Sequence, residues 1–595
     1  MFSKVLIANR GEIAVRIVRA CEELGVATVA VYSDLDRDAL HVQRADEAYL
    51  LGAGPASESY LNVEKILEVC RQSGAEAVHP GYGFLAENAG FAKALEDAGI
   101  VFIGPPSSAI EAMGSKTRAR ELMQAAGVPI VPGTTEPVET IDDARTVIED
   151  TIGYPVAVKA AGGGGGKGFR VALTEDKLQD AFEGAAREGE KFFGDATVYL
   201  ERYLPDPRHV EVQVLADSHG NVIHLGERDC SLQRRHQKLI EESPAPAVDA
   251  KLRAKIGKIA TEAAAAVKYT GAGTIEGLLQ DGEYFFLEMN TRVQVEHCVT
   301  EMVTGIDIVK EGIRVAAGET LSIGQDDVVL RGHAIECRIN AEDASKNFAP
   351  APGPIGAYRE PTGPGVRVDS GVGPGAEISP MYDPMVAKLI VWDVDREQAT
   401  ARMLRALGEY EIETLKTLIP FHTAILATDQ WANAETCRDL IEDRDWLKQL
   451  AFPAPAPSQD GDEDEKIAQS YTVEVSGKRF DVTVIGPPPV AGNGAAPGGR
   501  AAPRRSARAG GGAGGGGGGD TLVSPIQGTV LKVAVEAGAE VQEGTLIAVV
   551  EAMKMENEIT AHKAGTVSEL PISVGGAVAT GDTIAVISSP AAAAE

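Results

Sequence analysis

Tyr284-Phe285-Phe286-Leu287-Glu288-Met289-Asn290-Thr291-Arg292-Val293-Gln294-Val295-Glu296-His297 decides the fold of the central part of the chain. Even positions 288 to 296 read Glu, Asn, Arg, Gln, Glu, while odd positions 287, 289, 293 and 295 are Leu, Met, Val, Val. On an extended strand successive side chains alternate faces, so five polar groups share one face and the apolar groups the other. Thr274-Ile275-Glu276 reads as a strand ahead of it, and Gln280-Asp281-Gly282-Glu283 carries an Asp-Gly turn signal between the two. Folding back about Asp281-Gly282 brings Glu276 opposite Glu288 to within a residue. Two carboxylates and Asn290 then converge where they would repel without a cation. Hard oxygen ligands of this kind suit Mg²⁺ bridging nucleotide phosphates. A solvent-facing strand of mixed charge is the bland alternative, and the crowding of Arg292, Gln294 and Glu296 onto the same face weighs against it.

Upstream, Ala161-Gly162-Gly163-Gly164-Gly165-Gly166-Lys167-Gly168 follows the apolar strand Tyr154–Lys159. So many glycines sacrifice order, and the usual return is close backbone approach to a phosphate under a mobile loop. The run is not a GxxxxGK[ST] loop, because Phe169 follows Lys167-Gly168. Lys159, just before it, and Lys116, in Gly114-Ser115-Lys116, are candidate phosphate cations. In Glu227–Lys238, all of the last six residues can donate to anions, so the segment reads as an anion site or a basic solvated loop. His209, judged alone, reads as a structural histidine, and Cys230 would need a base beside it to act as a nucleophile.

Further out, residues 1 to about 110 alternate short apolar runs (Lys4–Ala8, Ala27–Tyr32, Ala77–His79, Val101–Ile103) with helical patterns such as Glu12–Leu24 and Asn62–Ser73. That alternation predicts βαβ units and a parallel sheet. From about 115 to 320 the strands lengthen and look antiparallel. A mixed block over 330–450 ends in a helical stretch around Trp431 and Trp446. Pro453–Glu465 reads as a linker, YTVEVSGKRFDVTVIG at 471–486 as a short β-rich piece, and 487–519 as a second, flexible linker of Pro, Gly, Ala and Arg. The last segment repeats itself. Gly528-Thr529-Val530 recurs as Gly565-Thr566-Val567, and Ile547-Ala548-Val549 as Ile584-Ala585-Val586, both at an offset of 37 residues. Two related β-rich halves predict a small quasi-symmetric sandwich or barrel. Glu551-Ala552-Met553-Lys554-Met555 lies where one half turns into the other, which sets Lys554 at an exposed tip.

The length, 595 residues, suggests about four domains. A net charge of −31 makes a nucleic-acid partner unexpected. Six scattered cysteines with no CxxC pair fit a reduced cytoplasm. The chain begins MFSKVLIANRGE and contains no run of 18 apolar residues, so neither a signal peptide nor a membrane span is expected.

IANRGEIAVRI, HPGYGFLAEN, KAAGGGGGKG, RDCSLQRRHQK, EMNTRVQVEH and EAMKM, in this order, closely resemble the biotin-dependent acyl-CoA carboxylases. The chain looks like their α subunit, a biotin carboxylase fused to a biotin carboxyl carrier domain, over about 1–450 and 520–588. The resemblance implies an α/β fold with a parallel N-terminal α/β domain (1–114). An ATP-grasp domain (115–325) with a glycine-rich lid subdomain (about 131–203) and a mixed C-terminal domain (326–450) would follow. After a Pro/acidic linker (451–470), the β-rich piece (471–486) and the flexible linker (487–519) comes a biotinyl/lipoyl-type barrel-sandwich (520–590). By the same resemblance Lys116, Lys159, Glu201, His209, Gln233 and His236 contact ATP. Leu204 would lie beside the base, and Gly163, Gly164, Gly165 and Gly166 over the phosphates. Glu276, Glu288 and Asn290 would hold Mg²⁺ or Mn²⁺. Arg292, Gln294 and Val295 would hold bicarbonate, and Glu296 would deprotonate it. Lys238 would stabilise the phosphoryl group in transit and Arg338 the negative charge developing on biotin, with Lys554 as the biotinylated lysine.

The implied reaction is ATP-dependent carboxylation of biotin through carboxyphosphate, with water excluded by the lid. The chain has no segment resembling a carboxyltransferase, so a separate β subunit is expected, within a mixed oligomer, with a biotin protein ligase acting on Lys554. Acetyl-CoA or propionyl-CoA is the expected acceptor, pyruvate the alternative, and a non-catalytic carrier the reading from another class. Four positions depart from the family pattern. Cys298 stands where proline is commoner, and Gly277 where a bulky apolar residue is usual. Lys167 replaces the usual Arg of the lid and Gln527 a Pro before the repeat.

Overall fold

Lys4–Ile7 (β1) is apolar after its first residue and buried, as a strand covered on both faces must be. Gly11–Leu24 (α1) follows, with Ile13, Ile17, Val18 and Cys21 turned into the core. With Ala27–Ser33 (β2), Glu47–Gly52 (β3), Ala77–His79 (β4) and Val101–Phe102 (β5), β1 forms a five-stranded sheet in the order β3-β2-β1-β4-β5, all pairs parallel. The expected N-terminal α/β unit is there. The computed structural model describes residues 1–134, 136–164, 167–193, 196–235, 237–450, 467–475, 478–486, 520–524, 528–552, 555–578 and 581–588.

Val156–Gly164 (β6), Lys167–Ala172 (β7) and Val198–Arg202 (β8) make a small antiparallel sheet, with β6 in the middle, backed by the helix Leu178–Phe193. The main scaffold is a larger antiparallel sheet. It contains Arg208–Ala216 (β9), Val222–Arg234 (β10), Gln237–Ser243 (β11), Gly271–Gln280 (β12) and Glu283–Asn290 (β13). It continues without a break into His333–Asn340 (β14), Val366–Ser370 (β15) and Met385–Asp393 (β16), in the order β13-β12-β9-β10-β11-β14-β16-β15. The join is the β11–β14 pairing, Ile240 opposite Cys337 through Ser243 opposite Ala334.

The β12–β13 hairpin turns at Asp281 and Gly282, both in the left-handed region (φ 53° and 77°), as a two-residue turn of this hand requires. Glu276 lies opposite Glu288 and Thr274 opposite Asn290, which bears out the folding-back inferred from the sequence. Two details of the alternation fail. A register shift after Glu276 leaves Leu287 unpaired and exposed, not on an apolar face. The strand also ends at Asn290: β12 pairs beyond that point only with β9, and the Thr291 N–H donates instead to Glu87 Oε1 at 3.1 Å. Residues 291–296 therefore form a turn, and Glu296 leads into the helix His297–Thr304 (α2). Gly277 has a reason in this fold, because a Cβ there would sit 2.2 Å from the Tyr284 ring, which fills the space a larger residue would take.

Ile467–Val475 and Lys478–Gly486 pair as an antiparallel hairpin, beginning four residues before the β-rich piece seen in the sequence. Residues 520–588 form two four-stranded antiparallel sheets. The repeat is structural. Gly528–Val533 and Gly565–Glu569 are equivalent strands, as are Leu546–Ala552 and Thr583–Ser588, and the repeated Ile547-Ala548 and Ile584-Ala585 are fully buried. Ala552 pairs with Met555 as the last step of its ladder. Lys554 lies between them, outside the described residues. Among the described residues no helix is long and apolar enough to cross a membrane.

Candidate active site

Neighbouring strands of the large sheet set charged residues in a row. Glu276 on β12 lies opposite Glu211 on β9, and Glu211 opposite Arg228 on β10. Lys238 on β11 reaches into this row, its Nζ 2.5 Å from Glu211, 2.8 Å from Glu276 and 2.6 Å from Glu296. Arg338 on β14 donates from Nε to Glu241 Oε1 at 2.6 Å and from Nη2 to Glu296 Oε2 at 3.0 Å. Gln294 donates to Glu276 Oε1 at 2.6 Å, and His209 Nε2 lies 2.9 Å from Glu276 Oε2. Thus Lys238, His209, Glu276, Gln294, Glu296 and Arg338, distant in sequence, join one buried network.

Charges survive burial only when paired. Burial pushes Glu296 towards neutrality, but Lys238, Arg338 and Arg228 outweigh it and hold the carboxyl well below its ordinary range. The same balance favours the charge on Lys238: burial opposes it, and Glu211 and Glu296 prevail, raising its pKa well above normal. Burial drives Glu241 up to about 7 against the pull of Arg338. The result is an ionised carboxylate flanked by two cations, which keeps Glu296 proton-free and offers an anionic ligand two neutralising groups beside it.

Arg292 stands apart from that network. Its Nε donates to Glu87 Oε2 at 2.8 Å and its Nη2 to Asn290 Oδ1 at 2.8 Å, so the N-terminal unit clasps the turn after β13. A third group lies on β6 and β8, where Lys159 is ion-paired with Glu201 and Arg120 reaches Glu201 at 2.9 Å. Leu204 packs there with Val131 and Phe285 in a small apolar cluster. Gly163 and Gly164 end β6, and Gly164 is paired with Lys167. The backbone of Gln233 is paired with that of Lys238. The Val295 carbonyl accepts a hydrogen bond from Lys388 at 2.8 Å. Lys116 opens the helix Lys116–Ala125, its side chain outside the described part. Gly165, Gly166, His236 and Gln527 also lie outside the described residues, as do Lys554 and the Lys167 side chain.

The donor chemistry fits a divalent cation. Glu276 and Glu288 are register partners and Asn290 follows two residues on, all hard oxygen donors on one hairpin. His209, Glu211 and Glu276 also bring ligand atoms within 4.8 Å of one another, but the Lys238 ammonium already fills the space between the two glutamates. On the hairpin, Glu276, Glu288 and Asn290 are the residues that could hold a metal.

Several participants escaped the sequence reading. Fully buried Arg228 donates to Glu211, Gln213, Thr300, Thr274 and Gln294, and so ties four segments together. The signal for Glu211 was available in His209-Val210-Glu211-Val212-Gln213-Val214, a strict polar/apolar alternation. Glu241 and Glu87 sit in no such pattern, and only the tertiary structure shows their partners.

Comparison with known proteins supplies the context. Residues 1–110 match the family model described as the biotin carboxylase N-terminal domain, and 115–324 the ATP-binding domain of the carbamoyl-phosphate synthase L chain. Residues 336–443 match the biotin carboxylase C-terminal domain, and 520–587 the biotin-requiring enzyme model. The chain is 46% identical over 595 residues to a biotin-dependent acyl-coenzyme A carboxylase alpha3 subunit from Mycobacterium leprae, covering 98% of each. It is 54% identical over 443 residues to a pyruvate carboxylase subunit from Methanothermobacter thermautotrophicus, covering 74% of this chain and 90% of that one. Among solved structures it resembles the biotin carboxylase domain dimer of Hydrogenobacter thermophilus 2-oxoglutarate carboxylase in complex with MgADP, ADP and bicarbonate. The TM-score is 0.68 at 48% identity, over 76% of this chain and 100% of that one.

Proposed function

The chain belongs to the biotin-dependent carboxylases, as a biotin carboxylase fused to a biotin-carrier domain, and from that premise we propose that it is the α subunit of an acyl-CoA carboxylase. It would carboxylate biotin with ATP and bicarbonate and serve a separate carboxyltransferase subunit that uses acetyl-CoA or propionyl-CoA. The acyl-CoA acceptor is supported by the Mycobacterium leprae relative, which matches nearly the whole chain, linker and carrier included. The observation that carries the catalytic half is Glu296 held ionised between Lys238 and Arg338, one turn away from the Glu276–Glu288 hairpin.

Bicarbonate is a poor electrophile, so it must be activated by phosphorylation before its carboxyl group can be transferred. Glu296 takes its proton, and Lys238 and Arg292 neutralise the anions brought together. A divalent cation held by Glu276, Glu288 and Asn290 would neutralise the nucleotide phosphates. Lys159, Lys116, Gln233, His236 and the backbone of Gly163–Gly166 hold the phosphates, with Glu201 and His209 on the rest of the nucleotide and Leu204 beside its base. Gln294 and the Val295 backbone orient bicarbonate. Lys554 would carry biotin, whose ring nitrogen would accept the carboxyl group as phosphate leaves, and Arg338 would neutralise the charge that develops there. Closure of the lid, about 131–203, excludes water from the reacting groups.

The divisions at 114, 325 and 450, the linkers and the carrier from 520 are proposed as the functional units. A biotin protein ligase would load Lys554, and a mixed oligomer would form with the carboxyltransferase subunit. Six free, buried cysteines support a reducing compartment such as the cytoplasm. The second reading is a chain serving pyruvate, favoured by the 54% identity to the Methanothermobacter thermautotrophicus pyruvate carboxylase subunit.

The test uses the native chain captured on avidin with whatever partner accompanies it. ATP-dependent fixation of labelled bicarbonate is measured into acetyl-CoA, propionyl-CoA and pyruvate. Label in an acyl-CoA is expected. Label in pyruvate alone would establish the second reading. Absence of bicarbonate-dependent ATP cleavage, with free biotin as acceptor, would leave only a carrier.

A further inference from the structure

Behind the turn that carries Val295 and Glu296 lies a lysine with no exposed surface, Lys388 on β16. Its ammonium donates to the Val295 carbonyl at 2.8 Å and to Cys298 Sγ at 3.2 Å. Glu12 Oε1 approaches it at 3.3 Å and Asp369 Oδ2 at 3.9 Å. These partners come from α1, from the turn and the start of α2, and from β15, so one cation joins three parts of the chain that sequence alone treats as separate. Close contact makes this possible: a Cβ on Gly371, just past β15, would stand 2.4 Å from the Glu12 backbone nitrogen.

A buried ammonium needs compensation on every side, and its geometry is therefore demanding. Neither carboxylate oxygen of Glu12 has a hydrogen-bond partner, so Lys388 is its nearest compensation. Burial pushes Glu12 up to about 7 even with Lys388 beside it. The departure at Cys298 falls here. Its thiol donates to Asp369 Oδ2 at 3.2 Å and accepts from Lys388, giving the ammonium an acceptor that a proline side chain would not offer. Val295 is thus held from behind by its own carbonyl, while the adjoining Glu296 faces Lys238 and Arg338 in front.

We propose that Lys388, with Cys298 as its second acceptor, is a positioning residue that fixes the Val295–Glu296 turn for bicarbonate. The inference rests on the function proposed above. Lys388 touches no reacting atom; it acts by setting where the Val295 backbone and the Glu296 carboxylate stand. Displacements near 1 Å in such a turn reduce catalysis by up to about 10²-fold.

The experiment compares full-length wild type with Lys388→Met, which keeps most of the length of the side chain but not its charge, and with the double variant Glu12→Gln/Lys388→Met, which removes both partners of the buried pair. Bicarbonate-dependent ADP release is followed with free biotin as acceptor, ADP affinity by calorimetry, and folding by thermal melting. The expected result is a KM for bicarbonate raised about tenfold in both variants, with ADP affinity within about twofold of wild type. A folded double variant with unchanged KM for bicarbonate would overturn the inference. So would a parallel loss of ADP affinity and melting temperature, or a double variant that does not fold, since the role would then be structural alone. A wild type that cleaves no ATP with bicarbonate would overturn the functional reading and this inference with it. An active wild type beside an unchanged variant overturns this inference alone.

Discussion

Arg228 and Glu211, each without exposed surface, meet at 2.5 Å between Nε and Oε1 on adjacent strands. The pair underpins the site: Glu211 also takes Lys238, and Arg228 also holds Gln294, so two of the three residues that face Glu276 are steadied from the same place.

Glu211→Ala leaves the Arg228 guanidinium buried without its counter-charge. A loss of about 3–5 kcal/mol in stability is expected, read as a fall in the urea midpoint. A midpoint unchanged from wild type would refute the pairing as a structural support.

Glu296→Gln keeps the shape of the side chain and removes the base. The rate of bicarbonate-dependent ATP cleavage should fall about 10²- to 10⁴-fold with ADP affinity little altered. Retention of more than about a tenth of the activity would assign proton removal to another group.

Gly277→Ala places a methyl group against the Tyr284 ring, 2.2 Å from its nearest atom before relaxation. Overpacking of this kind costs about 1–3 kcal/mol. Adding Tyr284→Leu should recover much of that loss, and a double variant no more stable than the single one would show that the ring is not the obstacle.

His41 provides a test in pH. Burial lowers its pKa from 6.5 to about 4, so within that window the unfolded chain binds a proton that the folded one does not. Stability linked to His41 therefore rises with pH across the window and is lost as pH falls towards 4. Against His41→Gln, which does not titrate, wild type should lose about 3 kcal/mol of relative stability between about pH 7 and about pH 4. Parallel urea-midpoint curves for the two proteins would contradict this.

Local signals carried much of the architecture. Asp281-Gly282 announced a two-residue turn, and the turn brought Glu276 to within one residue of Glu288, the register shift at Leu287 supplying the last step. The 37-residue repeat likewise announced two equivalent halves, because identical spacing demands equivalent strands. What stayed hidden depends on distant partners. The even–odd pattern runs through Glu296 with Thr291 its one exception, yet the chain leaves the sheet at Asn290, where Glu87, some two hundred residues earlier, takes the next N–H. Arg228 gave no sign of its importance, since a basic residue in a polar cluster looks the same whether it is solvated or buried. Nor could any local pattern show that β11 pairs with β14.

That last pairing bears on how such a chain can be divided. Ile240–Ser243 bonds directly to Ala334–Cys337, so a cut or genetic exchange between them would split a single sheet and expose two unpaired strand edges. Halves made in this way would have to find each other again or aggregate. The strands from Arg208 to Asp393 must therefore travel together, whereas the described strands after 520 pair only among themselves and can be exchanged as a cassette.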